Sequence, residues 1–219
     1  MLSAKICWKF TGVKPTFPLM FTGIIQHIGT VKAIESDGDT RITIETDMDL
    51  GAMPRGASIC CSGVCLTVVQ KGAGWFAVDV SRETLSRSGI GLWITGTRIN
   101  LEPSLKLGDE LGGHFVFGHV DAQAVIRDIK MAGDSMVLSI EVPGELAGFI
   151  TPKGSVTLDG VSLTVNEVRG NVFTVNISPF TWGVTTLGER KPGDKLNIEI
   201  DMLARYVARA LGMNQRSAA

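Results

Sequence analysis

The sequence predicts an all-β protein made of two copies of one antiparallel domain, because it repeats itself and is rich in short alternating segments. Residues 58–102 align with residues 155–199 at a constant offset of 97, and 14 of the 45 positions are identical. Chance matching at average residue usage gives roughly 3 identities. A repeat of this length exceeds the roughly 20–50 residues of a solenoid unit and has the size of a small domain.

Alternation of apolar and polar residues marks about six strands in each half. Typical runs are 40–45 and 75–80 in the first half, and 136–141 and 171–176 in the second. Turn residues separate the runs, as in the Lys-Pro-Gly-Asp segment at 191–194. Regularly spaced short strands without alternating helices favour an antiparallel barrel or sandwich over a parallel α/β sheet.

Two segments are predicted to be helical. Residues 143–150 form a short helical turn between strands, and a longer helix begins after Asp201, a good N-cap, and ends near Gly212. An isolated helix of about 11 residues is marginally stable. Its apolar stripe must therefore pack, either on its own barrel or against copies from other subunits; the stripe consists of Leu203, Val207, Ala210 and Leu211.

Composition excludes several functional classes. The net charge is −1 and the pI about 6.3, whereas a nucleic-acid-binding protein usually carries a basic stripe and a high pI. The sequence contains no run of 18 apolar residues, so no membrane span is expected. The cysteines have no zinc-site spacing and no neighbouring histidine, which favours reduced thiols in a cytoplasmic protein without a metal; they are Cys7, Cys60, Cys61 and Cys65.

Residues 1–19 differ from the rest of the chain. They contain three lysines and no acid, and they have no counterpart in the second copy. They lack the apolar core of a secretory signal, and a transit peptide is weakly supported because no arginine is present. We interpret them as a disordered extension, or as the result of a start codon assigned too early, with Met20 as the real start. The predicted divisions are an extension 1–19, barrels 20–112 and 113–201, and a helix with its tail 202–219.

Two motifs contain candidate functional residues. The segment 112–121 holds His114 and His119 among glycines, which suits proton transfer beside a closely approaching ligand, although it also suits a structural turn between the domains. The segments 63–68 and 160–165 repeat Gly-Val-x-Leu-Thr-Val.

Residues i and i+2 of a strand face the same side. Cys65 and Thr67 therefore share one face of the first copy, and Ser162 and Thr164 share that face of the second. An ordinary half-exposed strand is the alternative interpretation. Elsewhere the sequence shows no Ser-His-Asp order, phosphate loop or metal cluster.

Together the motifs resemble the alpha-type riboflavin synthase family over the chain from Met20 to about Leu211. The matching segments occur in the family's order and are 20–25, 63–68, 83–85, 112–114, 118–121, 159–165, 185–188 and 197–201. The resemblance implies two six-stranded Greek-key barrels and a C-terminal helix that holds a homotrimer. It also implies a reaction without cofactor or metal, in which one 6,7-dimethyl-8-ribityllumazine donates a four-carbon unit to another, giving riboflavin and 5-amino-6-ribitylaminouracil.

In that family each barrel binds one lumazine, and the N-terminal barrel of one subunit faces the C-terminal barrel of another. Lumazine synthase is a further expected partner. The alternatives are a non-catalytic lumazine or flavin carrier of the same fold and a barrel that binds nucleic acid or protein. The near-neutral charge argues against nucleic acid, and both copies keep their motif residues, which favours the enzyme.

The resemblance also implies site residues. The first expected proton mover is His119, assisted by Ser162, with Cys65 as nucleophile or donor and Asp201 polarising a nearby side chain. The N-terminal pocket is expected to contain Phe21, Ser58, Cys65 and Thr67. The C-terminal pocket is expected to contain His119, Asp159, Ser162 and Thr164, with Asp159 also a catalytic candidate. The remaining substrate-binding candidates are Thr22, Gly23, Gly118, and the matched pair Thr84 and Thr181 at the pyrimidine edge.

The two copies differ where chemistry is expected. Cys65 stands opposite Ser162, and Ser62 opposite Asp159. Phe180 replaces a polar residue that the family usually has, and Trp182 lies beside it, so the two aromatic rings either reshape the second pocket or cover it. Unequal pockets suit one donor and one acceptor.

Overall fold

The fold is a pair of closed antiparallel β-barrels of six strands each, which confirms the predicted fold class. It is seen in a computed structural model that describes residues 20–37 and 39–212. The predictions for the extension 1–19 and for the tail beyond Gly212 lie outside the described residues. No helix in the described part of the chain is long and apolar enough to cross a membrane.

The first barrel follows the order β1-β2-β5-β4-β3-β6 and closes through β6 against β1. Its strands are β1 (His27–Asp37), β2 (Asp39–Thr46), β3 (Ser58–Cys61), β4 (Val64–Gly72), β5 (Trp75–Val80) and β6 (Arg98–Pro103). Strand β4 carries the first Gly-Val-x-Leu-Thr-Val motif. Its Leu66 and Val68 point into the barrel, while Thr67 is exposed, as the alternation predicted.

The second barrel repeats this topology in the order β7-β8-β11-β10-β9-β12. Its strands are β7 (Ala122–Ala132), β8 (Ser135–Glu141), β9 (Ser155–Leu158), β10 (Val161–Arg169), β11 (Val172–Ile177) and β12 (Lys195–Ile200). A register shift interrupts β10 after Val165, and the same shift interrupts β4 after Val68, so the duplication extends to the bulges.

Within the described residues, four short α-helices connect or follow the strands. They are α1 (Arg82–Arg87), α2 (Gly144–Ala147), α3 (Pro179–Val184) and α4 (Met202–Ala210). Helices α1 and α3 are each followed by a 3-10 turn, Gly89–Leu92 and Thr186–Glu189. The predicted turn at α2 and the Asp201 cap of α4 are both present, with Asp201 accepting a hydrogen bond from Leu203 N at 2.9 Å. Helices α1 and α3 were not predicted. Each begins at a serine cap, Ser81 or Ser178, which satisfies a free backbone N–H.

The apolar stripe of α4 is not covered by the part of the chain that the structure describes. Leu203, Val207 and Leu211 are each more than half exposed, and so is Tyr206. Only Ala208 of this helix is buried. Of the two predicted alternatives, packing on the helix's own barrel is therefore wrong.

Two asparagines at matched positions join the barrels. The Asn100 side chain donates to Asp159 O at 2.8 Å, and the Asn197 side chain donates to Ser62 O at the same distance. Their carbonyl oxygens accept from the backbone N–H of Thr186 and Gly89, respectively. Because each barrel provides the same bonds to the other, the junction is reciprocal, and it fixes the relative position of β4 and β10.

Candidate active site

Two short segments pass from one barrel to the other. The leading segment, residues 20–25, precedes the first barrel, and the linking segment, residues 116–120, precedes the second. An antiparallel bridge pairs them, with Phe21 N donating to Val116 O at 2.7 Å and the reverse bond at 3.0 Å. The two segments are therefore equivalent elements of the duplication.

Each segment lies across the motif strand of the opposite barrel. Gly118 O accepts from Cys65 N at 2.9 Å, and Gly23 O accepts from Ser162 N at 2.8 Å. A Cβ on Gly118 would lie 2.6 Å from Cys65 N, and one on Gly23 would lie 2.5 Å from Ser162 Cβ. Both glycines also have φ near +75°. Close approach and backbone conformation together require glycine at both positions.

A buried carboxylate holds each segment in place. Glu199 accepts from the backbone N–H groups on either side of Gly118, at 2.7 and 2.8 Å. Glu102 accepts from the N–H groups of Thr22 and Gly23, at 2.7 and 2.9 Å, and from the Thr22 hydroxyl. The Thr22 side chain is thus occupied within the protein rather than free for substrate.

Burial raises the pKa of Glu199 to about 7, the backbone N–H donors oppose the rise, and the charge of Asp121 adds to it. A carboxyl whose pKa is higher in the folded state stabilises the fold fully below its unfolded pKa of 4.5, and this contribution is lost as the pH rises through about 7. We expect the free energy of unfolding to lose up to about 3 kcal/mol between these pH values through Glu199. The free energy of unfolding, measured by urea titration at several pH values in this window, should fall more steeply with pH in wild type than in Glu199→Gln. An equal dependence on pH in the two proteins would contradict the raised pKa.

An open pocket of about 200 Å³ lies where the linking segment meets the first barrel. Cys65, Thr84 and His119 line it, together with the Glu83–Arg87 ion pair on α1. The prediction that His119 lines the C-terminal pocket beside Ser162 is therefore wrong. His119 belongs to the linking segment, and that segment crosses to the first barrel.

The partner of Ser162 is the other histidine of the motif. His114 Nδ1 lies 2.7 Å from Ser162 Oγ, and its Nε2 lies 3.2 Å from Thr157 Oγ1. Burial lowers the pKa of His114, and the charge of Asp201 partly offsets this effect. The imidazole is therefore neutral near pH 7 and able to exchange a proton through Ser162. The sequence signal for His114 was its place in the glycine-rich motif, which did not distinguish it from His119.

Cys65 is a partly buried thiol between Ser58 and the linking segment. Burial raises its pKa, the Ser58 hydroxyl opposes the rise, and the charge of Glu199 adds to it. The thiol is therefore protonated at neutral pH and suited to donate a proton or hydrogen bond rather than to attack as a thiolate. Thr67, two residues further along β4, is exposed on the same face.

Thr84 and Thr181 occupy matched places in α1 and α3. The backbone N–H of each donates to the capping serine at 3.2 Å, and their carbonyl oxygens accept from hydroxyls at the helix end. Their hydroxyls also contact the capping serines, at 3.0 Å for Thr84 and 3.1 Å for Thr181, so a role at the pyrimidine edge stays a prediction for both residues.

The rims of the two sites differ in chemistry. Phe180 and Val184 of α3 take the places of Glu83 and Arg87 and are exposed. Trp182 packs against the second core and so covers the barrel, whereas Phe180 is largely exposed at the position that matches Glu83 of the first pocket. The pocket beside Cys65 therefore has a charged rim, and the matched surface of the second barrel is apolar.

Two predicted pocket residues are buried instead. Phe21 has no exposed surface and packs with Cys60 and Val116 behind Cys65, so it supports the wall of the site without facing it. Asp159 lies in the junction, where Oδ2 accepts from Arg190 at 2.7 Å and Oδ1 from Asn197 N at 2.8 Å. Asp159 is therefore buried in the junction rather than placed on a pocket wall, and its catalytic role stays a prediction.

Comparison with known proteins connects this geometry to a family. The model of the Lumazine binding domain family matches residues 22–104 and 117–201. The chain is 54% identical over 196 residues to the riboflavin synthase of Brucella abortus (strain 2308), covering 87% of this chain and 97% of that protein. It is 44% identical over 194 residues to that of Photobacterium phosphoreum, covering 88% and 89%.

A solved structure of the same fold is LumP complexed with riboflavin. It aligns with a TM-score of 0.76 and 25% identity, covering 83% of this chain and 99% of that one. The family model matches a domain in each half of the chain, and the similar synthases are aligned over nearly their whole length. Both findings indicate the same family. The chain belongs to the riboflavin synthase family of proteins with two lumazine-binding domains.

Proposed function

We propose that the chain is a riboflavin synthase, a transferase that converts two molecules of 6,7-dimethyl-8-ribityllumazine into riboflavin and 5-amino-6-ribitylaminouracil. A four-carbon unit leaves one lumazine and joins the other, so two identical molecules have to be bound. The observation that carries this proposal is the duplication of the whole site. Each barrel has a motif strand, a glycine segment lying across it and a carboxylate that holds that segment.

Holding two rings together removes much of the entropic barrier, an effect worth about 7–11 kcal/mol in well-oriented reactions. The protein then has to move protons to and from an acidic ring methyl and to the leaving nitrogen. Ser162 with neutral His114 forms one proton-transfer pair, which Asp201 polarises. Cys65 and His119 form the other, and Thr67 and Thr164 line the two faces beside them. The unequal pairs suit one donor and one acceptor, bound in different barrels.

A homotrimer completes the site. The pocket beside Cys65, at about 200 Å³, is smaller than the roughly 300–1,000 Å³ of ordinary small-molecule sites, so another surface has to cover the substrate. The N-terminal barrel of one subunit facing the C-terminal barrel of another provides it. The exposed stripe of α4, with Leu203 and Val207 at its centre, supports α4 as the contact that holds the subunits.

Deleting residues 202–219 should convert the trimer to monomers, because about three turns of exposed apolar surface are removed. Multi-angle light scattering measures the mass directly. A chain ending at Gly212 is the matched control, since it keeps α4 and should keep the oligomeric mass. A trimer that survives the loss of α4 would show that the subunits meet elsewhere.

A cytoplasmic location is supported by the free thiols of Cys60, Cys61 and Cys65. Lumazine synthase stays a predicted partner.

The proposed activity is tested by incubating the purified protein with 6,7-dimethyl-8-ribityllumazine and following both products by chromatography. We expect one riboflavin and one 5-amino-6-ribitylaminouracil for every two lumazines consumed, without added cofactor or metal. Bound lumazine that persists without riboflavin would identify a carrier of the same fold.

A further inference from the structure

Two buried carboxylates hold the glycine segments but are not among the proton-moving groups described above. Glu102 lies at the end of β6 and Glu199 at the end of β12, at matched positions of the duplication, and each is less than 5% exposed. Burying a carboxylate is costly unless strong partners compensate. The partners are backbone N–H groups and, for Glu102, also the Thr22 hydroxyl, rather than cations.

The contacts of these carboxylates run crosswise. Glu199 belongs to the second barrel, yet the segment that it holds lies on Cys65 of the first. Glu102 belongs to the first barrel, yet its segment lies on Ser162 of the second. The glutamate at the end of each barrel's last strand therefore contacts the segment that lies on the other barrel's site.

We propose that Glu199 and Glu102 are positioning residues that act crosswise, each holding the glycine segment over the site of the opposite barrel. Glu199 fixes His119 beside Cys65, because it accepts from His119 N itself. Glu102 fixes Gly23 against Ser162, and with it the backbone that borders the His114–Ser162 pair. The kinetic part of this proposal rests on the proposed synthase activity, whereas the structural part does not.

The strength of the contacts supports this role. Above about pH 7 the Glu199 carboxyl is mostly ionised. Hydrogen bonds to an ionised group are roughly twice as strong as neutral ones, and both oxygens of Glu199 accept at 2.8 Å or less. Glutamine keeps one acceptor oxygen and presents an NH₂ group where the other oxygen was. One backbone N–H of the segment then loses its acceptor while the side-chain shape is kept.

The decisive experiment is hydrogen exchange of the full-length protein, read by mass spectrometry on peptides that cover each segment. In Glu199→Gln we expect the amides of residues 117–119 to exchange about tenfold faster or more, while those of residues 22–24 keep wild-type rates. In Glu102→Gln the pattern should be reversed. Each variant is thus the matched control of the other.

Turnover provides a second measurement. A residue with a purely structural role would not affect kcat selectively over KM when replaced. Glu199→Gln should lower kcat about tenfold or more while KM for lumazine stays within about threefold, because the proton-moving groups lose their position. If Glu199→Gln does not fold, Glu199→Asp, which keeps the charge and withdraws it by one methylene, takes its place.

Faster exchange throughout both barrels, or equal loosening of both segments in either variant, would overturn the crosswise role. A reciprocal exchange pattern in a protein that forms no riboflavin would leave the positioning role standing and reject the synthase activity instead.

Discussion

Replacing Gly118 by alanine should lower kcat/KM for lumazine by about 100-fold or more, because a displacement of about 1 Å at a reacting centre has that effect. The new Cβ would lie 2.6 Å from Cys65 N and 2.7 Å from Cys65 Cβ. These atoms belong to β4, which cannot yield without breaking its pairing with β3 and β5. The linking segment has to move instead, and it carries His119 away from the thiol.

The matched control is Gly170→Ala. Gly170 has φ +63° against +73° for Gly118, and nothing lies within 4 Å of its added Cβ. Both variants share the cost of a left-handed alanine, roughly 1–2 kcal/mol, but only one introduces the clash. We expect Gly170→Ala to retain turnover within about threefold of wild type in a steady-state assay. Normal turnover in Gly118→Ala would exclude the linking segment from the site.

The fold was predictable because its signals are local. Alternation over six residues identifies a half-buried strand wherever it occurs, and an aspartate followed by an apolar stripe identifies a capped helix, as in α4. The gapless repeat then required the second half to fold like the first. Helices α1 and α3 were not predicted because each has six residues, which is too few to show a helical period in the sequence.

The site was only partly predictable, because the placement of each glycine segment on the opposite barrel depends on the tertiary structure. The pairs Cys65 with Thr67 and Ser162 with Thr164 followed from strand alternation. The assignment of His119 to the second barrel failed because the linking segment precedes that barrel in sequence but lies on the first. Gly23 and Gly118 differ by 95 positions, whereas the barrels repeat at 97. The alignment that revealed the duplication therefore did not include the segments that complete it.

The charge of Asp159, at the position that matches Ser62, was also a poor guide to where this side chain lies. Asp159 drew attention as an acid where the first copy has Ser62, and in a pocket it would suit proton transfer. Its burial and its bond to Arg190 become visible only when the end of β9, strand β12 and the turn before β12 are placed together. The difference between the two copies here affects the stability of the junction, whereas the difference between Cys65 and Ser162 affects the sites themselves.

Replacing Asp159 by alanine should lower the free energy of unfolding by about 3–5 kcal/mol, the usual cost of removing one partner of a buried ion pair. Both carboxylate oxygens are engaged, one by Arg190 and one by the backbone N–H of Asn197. Arg190 would lose its counter-charge, and the buried N–H would lose its acceptor. Urea denaturation at fixed protein concentration measures the loss, since oligomer stability depends on concentration.

Ser62→Ala is the control that isolates the charge. Ser62 holds the equivalent corner with φ +43°, against +44° for Asp159, and its hydroxyl accepts from Asn100 N at 3.1 Å. Both alanine variants therefore share the backbone strain and the loss of one hydrogen bond, and we expect Ser62→Ala to cost about 1–2 kcal/mol. Burial raises the pKa of Asp159 even beside Arg190, so the pair itself adds little net stability. The amount by which Asp159→Ala lowers the free energy of unfolding beyond Ser62→Ala is then the cost of leaving Arg190 without its counter-charge. Equal decreases in the two variants would show that Arg190 is hydrated once its partner is removed.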